Sequence, residues 1–183
     1  MAVALDEKAE LIEPLTEGIT FDVWLDREHH MADVMAISNV PTVLWIDEDL
    51  HVARPNGVAF GTDMFTEFHG IAPEAHMDAI RAWVREGTVD VDESAAAAAV
   101  PELSDTELDA RLLFRIGAHL TRTGSPDAGA ERLKAAAEMV PHDFTIWRAA
   151  MPLMGDDPFG DGFFEGYTRW QEAGGAYHGL PGR

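Results

Sequence analysis

The sequence predicts an α/β domain followed by an all-α helical module. Three observations carry this. Up to about residue 88, short apolar runs alternate with helix-period segments, as strands and helices laid down in turn would require. Residues 89–102 then become acidic and alanine-rich, with Asp90, Asp92 and Glu93 ahead of the alanines at 95–99. That composition reads as a linker, part of it able to form helix. From Pro101 onward the composition is helical. The expected division is therefore 1–88, 89–102 and 103–183.

Ala2–Leu5 reads as a short buried strand. Asp6 can cap a helix from Glu7 to about Glu17, which Pro14 should kink or shorten and Gly18 can end. Phe21, Val23 and Leu25 recur at period two, the mark of a half-buried strand. Asp26 then caps a helix from Arg27 to about Ile37, with Met31, Val34, Met35 and Ile37 spaced to face inward. Val43–Ile46 is too short for a helix and reads as a buried strand. Pro41 sits where that strand opens, a position that tolerates a missing N–H. Asp47–Leu50 reads as a turn, His51–Arg54 as a returning strand and Arg54–Gly57 as a second turn. Aromatics at 60, 65 and 68 belong either to a loop packed on the sheet or to a lid facing a substrate. A helix from about Pro73 to Glu86, with Ile80, Trp83 and Val84 inward, closes the domain.

In the second part, Ser104 with Glu107 three residues later fits a capping box. The helix it starts should run to about Arg122, and a second from about Asp127 to Met139, before Pro141. Leu113, Ile116, Gly117 and Leu120, then Gly129, Leu133, Ala136 and Pro141, fall in register with the tetratricopeptide pattern over Ala110–Asp143. A plain helical hairpin fits these residues equally well. Gly117 and Ala136 would let the paired helices approach closely, and Gly129 should weaken the second helix. No second unit follows, because Met151 and Pro152 break the register. A single unit cannot bury its own face, so it must cap or dock on something. Beyond it, Phe163, Phe164, Tyr167 and Trp170 are spaced for a small aromatic core in the C-terminal tail, with Phe159 docked in the loop before them; a peptide-binding groove is the alternative that core packing outweighs.

Composition excludes several function classes. Hydrophobic residues make up 46% of the 183, enough for a core. Acidic residues outnumber basic ones 33 to 13, for a net charge of −20. Such a surface repels phosphate backbones and anionic lipid, so neither nucleic acid nor membrane is an expected partner. No apolar run is long enough to span a bilayer, and residues 1–5 lack the parts of a signal peptide. The expected location is the cytoplasm. The acidic tail at 156–165 fails the EF-hand spacing, and the histidines show no metal-binding motif. His29 and Asp33, four apart, are the one pair that could share a metal, and solvated or capping histidines are the default.

Val40-Pro41-Thr42, followed by an apolar strand and an acidic turn, resembles the thioredoxin-like redoxins, in particular the peroxiredoxin-like and TlpA/ResA-type members. The order strand, helix, strand, helix, strand, strand, helix matches the part of that family after its active-site helix. Residues 1–6 resemble the strand following the Cys-x-x-Cys helix. Phe21–Asp26 resembles a Phe-Pro-Val-Leu-x-Asp segment, with Asp22 where proline often lies. The resemblance spans about residues 1–90. It implies an N-terminally incomplete thioredoxin-like domain, with the tetratricopeptide-like module behind it. It implies a cis bond at Pro41, and a substrate-binding role for Asn39, Val40, Pro41 and Thr42, whose backbone would hold an extended substrate segment.

The family's activity is thiol–disulfide exchange or peroxide reduction, an antioxidant function. This chain contains no cysteine. Exchange requires a thiolate, so no catalytic residue is assigned here, and no metal or cofactor. The redox cysteine or selenocysteine would lie before Met1. The family strand that goes with it would sit between Ala2–Leu5 and Val43–Ile46. Either the flanking strands pair directly, or an upstream segment or a second copy fills the gap, which would make a homodimer through the unpaired edge. Two functions are expected: a redoxin-family protein inactive by itself, or a non-catalytic module binding a protein or peptide through its tetratricopeptide-like helices.

Overall fold

The structure, a computed structural model, describes residues 1–57, 63, 66–100 and 102–175, apart from the side chains of 56, 68 and 69. The elements run β1 (Ala2–Ala4), α1 (Ala9–Ile12) with a 3-10 turn at Glu13–Thr16, β2 (Val23–Leu25), α2 (His30–Val34), β3 (Val43–Ile46) and β4 (Val52–Gly57). After them come α3 (Thr66–His69), α4 (Pro73–Glu86), α5 (Glu93–Ala99), α6 (Asp105–Arg122), α7 (Pro126–Met139), α8 (Phe144–Met154) and α9 (Asp161–Glu172). None of these helices is long and apolar enough to cross a membrane. The aromatic positions 60 and 65, and the side chain of 68, lie outside what the structure describes.

The expected thioredoxin-like α/β domain is not found. Among the described residues the chain is mostly helical, and its strands form two separate two-stranded sheets. β1 runs parallel to β2, and β3 antiparallel to β4. β1 therefore does not pair directly with β3. The physical reason is brevity. β1 and β2 have three residues each, and Phe21 and Trp24 around β2 are exposed instead of covering a sheet face. A two-stranded ribbon is marginal by itself, so each must be stabilised by helices.

The described residues group into two compact units; the division at 102/103 falls where it was expected, the one expected at 88 lies inside a unit, and residues 1–38 go with the C-terminal helices. One joins Met1–Ser38 to the helices from Leu103 onward, and the other is Asn39–Glu102. In the first unit, α6 opens on the capping box: Ser104 Oγ accepts the Glu107 N–H, while Glu107 accepts the Ser104 N–H at 2.8 Å. α6 and α7 meet glycine to glycine. A methyl group on Gly129 would lie 2.8 Å from the Gly117 carbonyl oxygen, so here glycine is required for close approach and does more than weaken the helix. Phe114, Leu133, Ala136, Val140 and Ile146 form the core, which α8 completes. α8 was not expected. Asp143 caps it by accepting the N–H of Thr145 and Ile146, and Pro152 is tolerated close to its C-terminal end.

Three arginines on one face of α6 hold the N-terminal segment. Arg111, 4% exposed, donates to the carbonyls of Ala32 and Ile37 (both 3.1 Å) and to Asp143 Oδ2 at 2.8 Å. It shares Asp33 with Arg115. Arg122 pairs with Glu7 and Glu28. These charge-assisted bonds explain why the first 38 residues belong with the C-terminal helices. α2 is shorter than expected. The Asp26 carboxylate accepts from the N–H of His30 and Met31 (2.8 Å each) and of Ala32 (3.1 Å), while His29 is left-handed, so the helix starts late. Val34, expected inward, is 78% exposed, and buried Ala32 takes its place.

In the second unit, β4 continues through the expected turn at Arg54–Gly57. Pro55 lacks an N–H, and the ladder shifts register between Val43 and Trp45 beside it. Trp45 stacks on Trp83 of α4 at 5.1 Å, and the Arg54 guanidinium lies 4.9 Å from the Trp45 ring centre. Arg54 Nε donates to Asp90 at 2.8 Å, so the segment expected as a linker is anchored here. α5 follows, capped by Asp92, which accepts the Ala95 N–H. Val84 of α4, expected inward, is 74% exposed.

Candidate functional site

Asn39, Val40, Pro41 and Thr42 form the corner leading into β3. The Val40–Pro41 bond is cis, as the resemblance implies. Asn39 Nδ2 donates to the Pro41 carbonyl at 3.1 Å, and Thr42 Oγ1 donates to the Gly57 carbonyl at 3.2 Å. Asn39 is buried and Pro41 exposed. The four residues are adjacent, but two of their polar groups are spent on holding the corner itself.

Of the described histidines, His30, His51 and His119 are exposed, as the default has it, while His29 and His76 are buried. His29 is buried against the Phe114 ring, with centroids 4.8 Å apart, and its partner in the metal hypothesis, Asp33, is engaged by two arginines. His76 is buried too, with Nδ1 3.5 Å from Arg54 Nη1 and its Nε2 without a partner. Burial lowers the pKa of both rings from the ordinary 6.5; at His76 the neighbouring Arg54 adds to this, while Asp90 opposes it. Among the described residues, no group of three or more His, Asp or Glu side chains is arranged to hold a metal ion.

The residues from α7 to α9 enclose an open cleft of about 630 Å³, within the size range of ligand pockets. Its floor is apolar: Trp147, Ala150, Met151 and Met154 line it. The floor rests on an aromatic core that contains the expected Phe163, Tyr167 and Trp170 but leaves Phe164 54% exposed and centres on Phe144, which was not expected. Phe144 touches the rings of Trp147, Phe163, Tyr167 and Trp170, with centroids 4.9–6.0 Å apart. Trp170 Nε1 donates to the His142 carbonyl at 2.7 Å. Gly166 makes room for Trp147, since a methyl group there would lie 2.7 Å from the indole. Phe159, expected to dock, is exposed instead and stacks under the Arg148 guanidinium at 4.6 Å. Arg148 also donates to the Pro158 carbonyl, fixing the loop between α8 and α9. Burial lowers the Arg148 pKa, and Asp6 opposes the shift.

The rim of the cleft is acidic. Glu138, Asp156, Asp157, Asp161 and Glu165 line it, against Lys134 and Arg169. Five carboxylates against two cations leave a local excess of negative charge at the mouth of an apolar pocket. The sequence favoured core packing over a peptide-binding groove at this tail, and the α7 and α8 residues that complete the cleft were missed. The available signal was Trp147 and Met151 on one helix and glycines at 162 and 166 inside the next, which face Met151 and Trp147 respectively. No family model, curated protein or solved structure matches the chain.

Proposed function

We propose that the chain is a non-catalytic interaction module whose C-terminal helices bind a protein or peptide segment. One observation carries this reading: the cleft between α7, α8 and α9 combines an apolar floor with a charged rim and a pre-built aromatic support. Clefts of this kind hold amphipathic segments by burying apolar anchors, with rim charges setting selectivity. The test is peptide display against the intact chain, followed by amide NMR with the enriched peptides. Shifts confined to α7, α8 and α9 are expected. Enriched peptides that leave those amides unmoved would refute it.

A second reading, a redoxin-type chain inactive by itself, rests on the sequence resemblance at Val40-Pro41-Thr42 alone, since the strands form two separate ribbons. The same spectra address it. An extended peptide would then shift the amides of Asn39, Val40 and Thr42, and leave the helices unmoved.

A further inference from the structure

We infer that the cleft between α7, α8 and α9 takes a basic amphipathic peptide segment, with apolar side chains on the floor and lysine or arginine at the rim. This rests on the interaction-module reading above and adds the chemistry of the ligand. The floor selects apolar anchors. Met151 and Met154 supply unbranched, polarisable surface that adapts to different side chains, and Trp147 supplies a flat wall. The rim selects the charge. Its five carboxylates outnumber Lys134 and Arg169, and within the described residues none of the five forms an ion pair inside the chain. All five are exposed, Asp157 also accepting the Phe159 N–H, and an approaching cation gains from their excess over Lys134 and Arg169.

Charge also decides against the other occupants. A second copy of this chain carries the same net −20 and would be repelled. An acidic peptide would place its carboxylates against those of the rim. A bare metal ion finds no cluster of ligands among the described residues. A cation on an apolar scaffold is the ligand that satisfies both floor and rim.

The experiment uses the full chain and a short amidated leucine–lysine peptide with its leucines at helical spacing. Its leucine–glutamate counterpart is the control. Binding is read by calorimetry and by the methyl NMR signals of the methionines. The leucine–lysine peptide should bind and shift Met151 and Met154, and the glutamate peptide should do neither. Because an acidic protein attracts any polycation, two variants of equal charge are compared. Glu138→Gln/Asp156→Asn/Glu165→Gln removes rim charges at exposed positions, so folding is retained. Glu10→Gln/Glu13→Gln/Glu17→Gln removes three exposed carboxylates that do not line the cleft. The rim variant should weaken binding about tenfold and the other by less than about twofold. Equal weakening in both, or binding without a shift at Met151 and Met154, would overturn the proposal. If display instead enriches lysine-free peptides that still map to α7–α9, the ligand chemistry is wrong while the interaction module stands.

Discussion

Arg111→Ala tests the arrangement that defines the first unit. The guanidinium is 4% exposed and Asp143 is fully buried, so neither charge can turn to water. Removing the arginine leaves Asp143 Oδ2 without its 2.8 Å donor and strips the carbonyls of Ala32 and Ile37 of one donor each. Asp33 keeps Arg115 and suffers less. Breaking a buried pair in this way costs about 3–5 kcal/mol, a large share of a typical stability of about 5–15 kcal/mol. Urea unfolding followed by far-UV circular dichroism measures it, urea being preferred because it adds no ionic strength. The midpoint should fall with an unchanged slope. The double variant Arg111→Met/Asp143→Asn removes both charges while keeping a side-chain oxygen to cap α8. It should be less destabilised than Arg111→Ala alone. A loss below about 1 kcal/mol for Arg111→Ala, or a double variant worse than the single, would refute the claim that Arg111 and Asp143 form a buried pair on which the packing of the first unit depends.

Other expectations follow from single contacts. Gly129→Ala should destabilise by about 1 kcal/mol or more, although alanine favours helix by about that amount. The new methyl would meet the Gly117 carbonyl oxygen at 2.8 Å and the Thr121 nitrogen at 2.9 Å, and a stabilised variant in thermal melts would show that the helices are not so close. Ser104→Ala should cost about 1 kcal/mol by removing half of the capping box, and hydrogen exchange should quicken in the first turn of α6 and not in α7. Stability should also fall in mild acid. His29 and His76 have pKa values lowered in the folded state, so their contribution is complete above the ordinary 6.5 and is lost as the pH drops below it. At His76 the neutral Nδ1 accepts from Arg54, and protonation would set two cations face to face. His76→Gln should flatten the urea midpoint between pH 7 and pH 5; an unchanged pH profile in that variant would remove His76 from the explanation.

The α6–α7 pair, the span of α4 and the grouping of Phe163, Tyr167 and Trp170 were legible in the sequence because they rest on local rules; Phe144 and Trp147, around which those rings gather, were not. Ser104 and Glu107 meet within one turn, Pro73 and Gly87 bracket α4, and helix spacing puts Phe163, Tyr167 and Trp170 on neighbouring faces. The acidic turn at Asp47 was legible for the same reason: its carboxylate accepts N–H groups two and four residues on.

What the sequence could not decide depends on partners far along the chain. Val34 and Val84 fit the inward spacing of their helices, yet both face out, since spacing fixes a stripe and only packing chooses which stripe is covered. The order of strands and helices resembled one continuous sheet, but order does not set pairing, and three-residue strands ended as two separate ribbons. Arg111, Arg115 and Arg122 sit at helical spacing in a chain poor in cations, a legible stripe. Their carboxylate partners, in Asp33, Glu7 and Glu28, lie 78, 82, 94 and 115 residues away. The sequence determined α4, α6 and α7, the charge and the absence of a thiol from these 183 residues. Tertiary structure alone decided which carboxylates are neutralised inside the fold and which remain free at the rim of the cleft, because that depends on which distant segments come together.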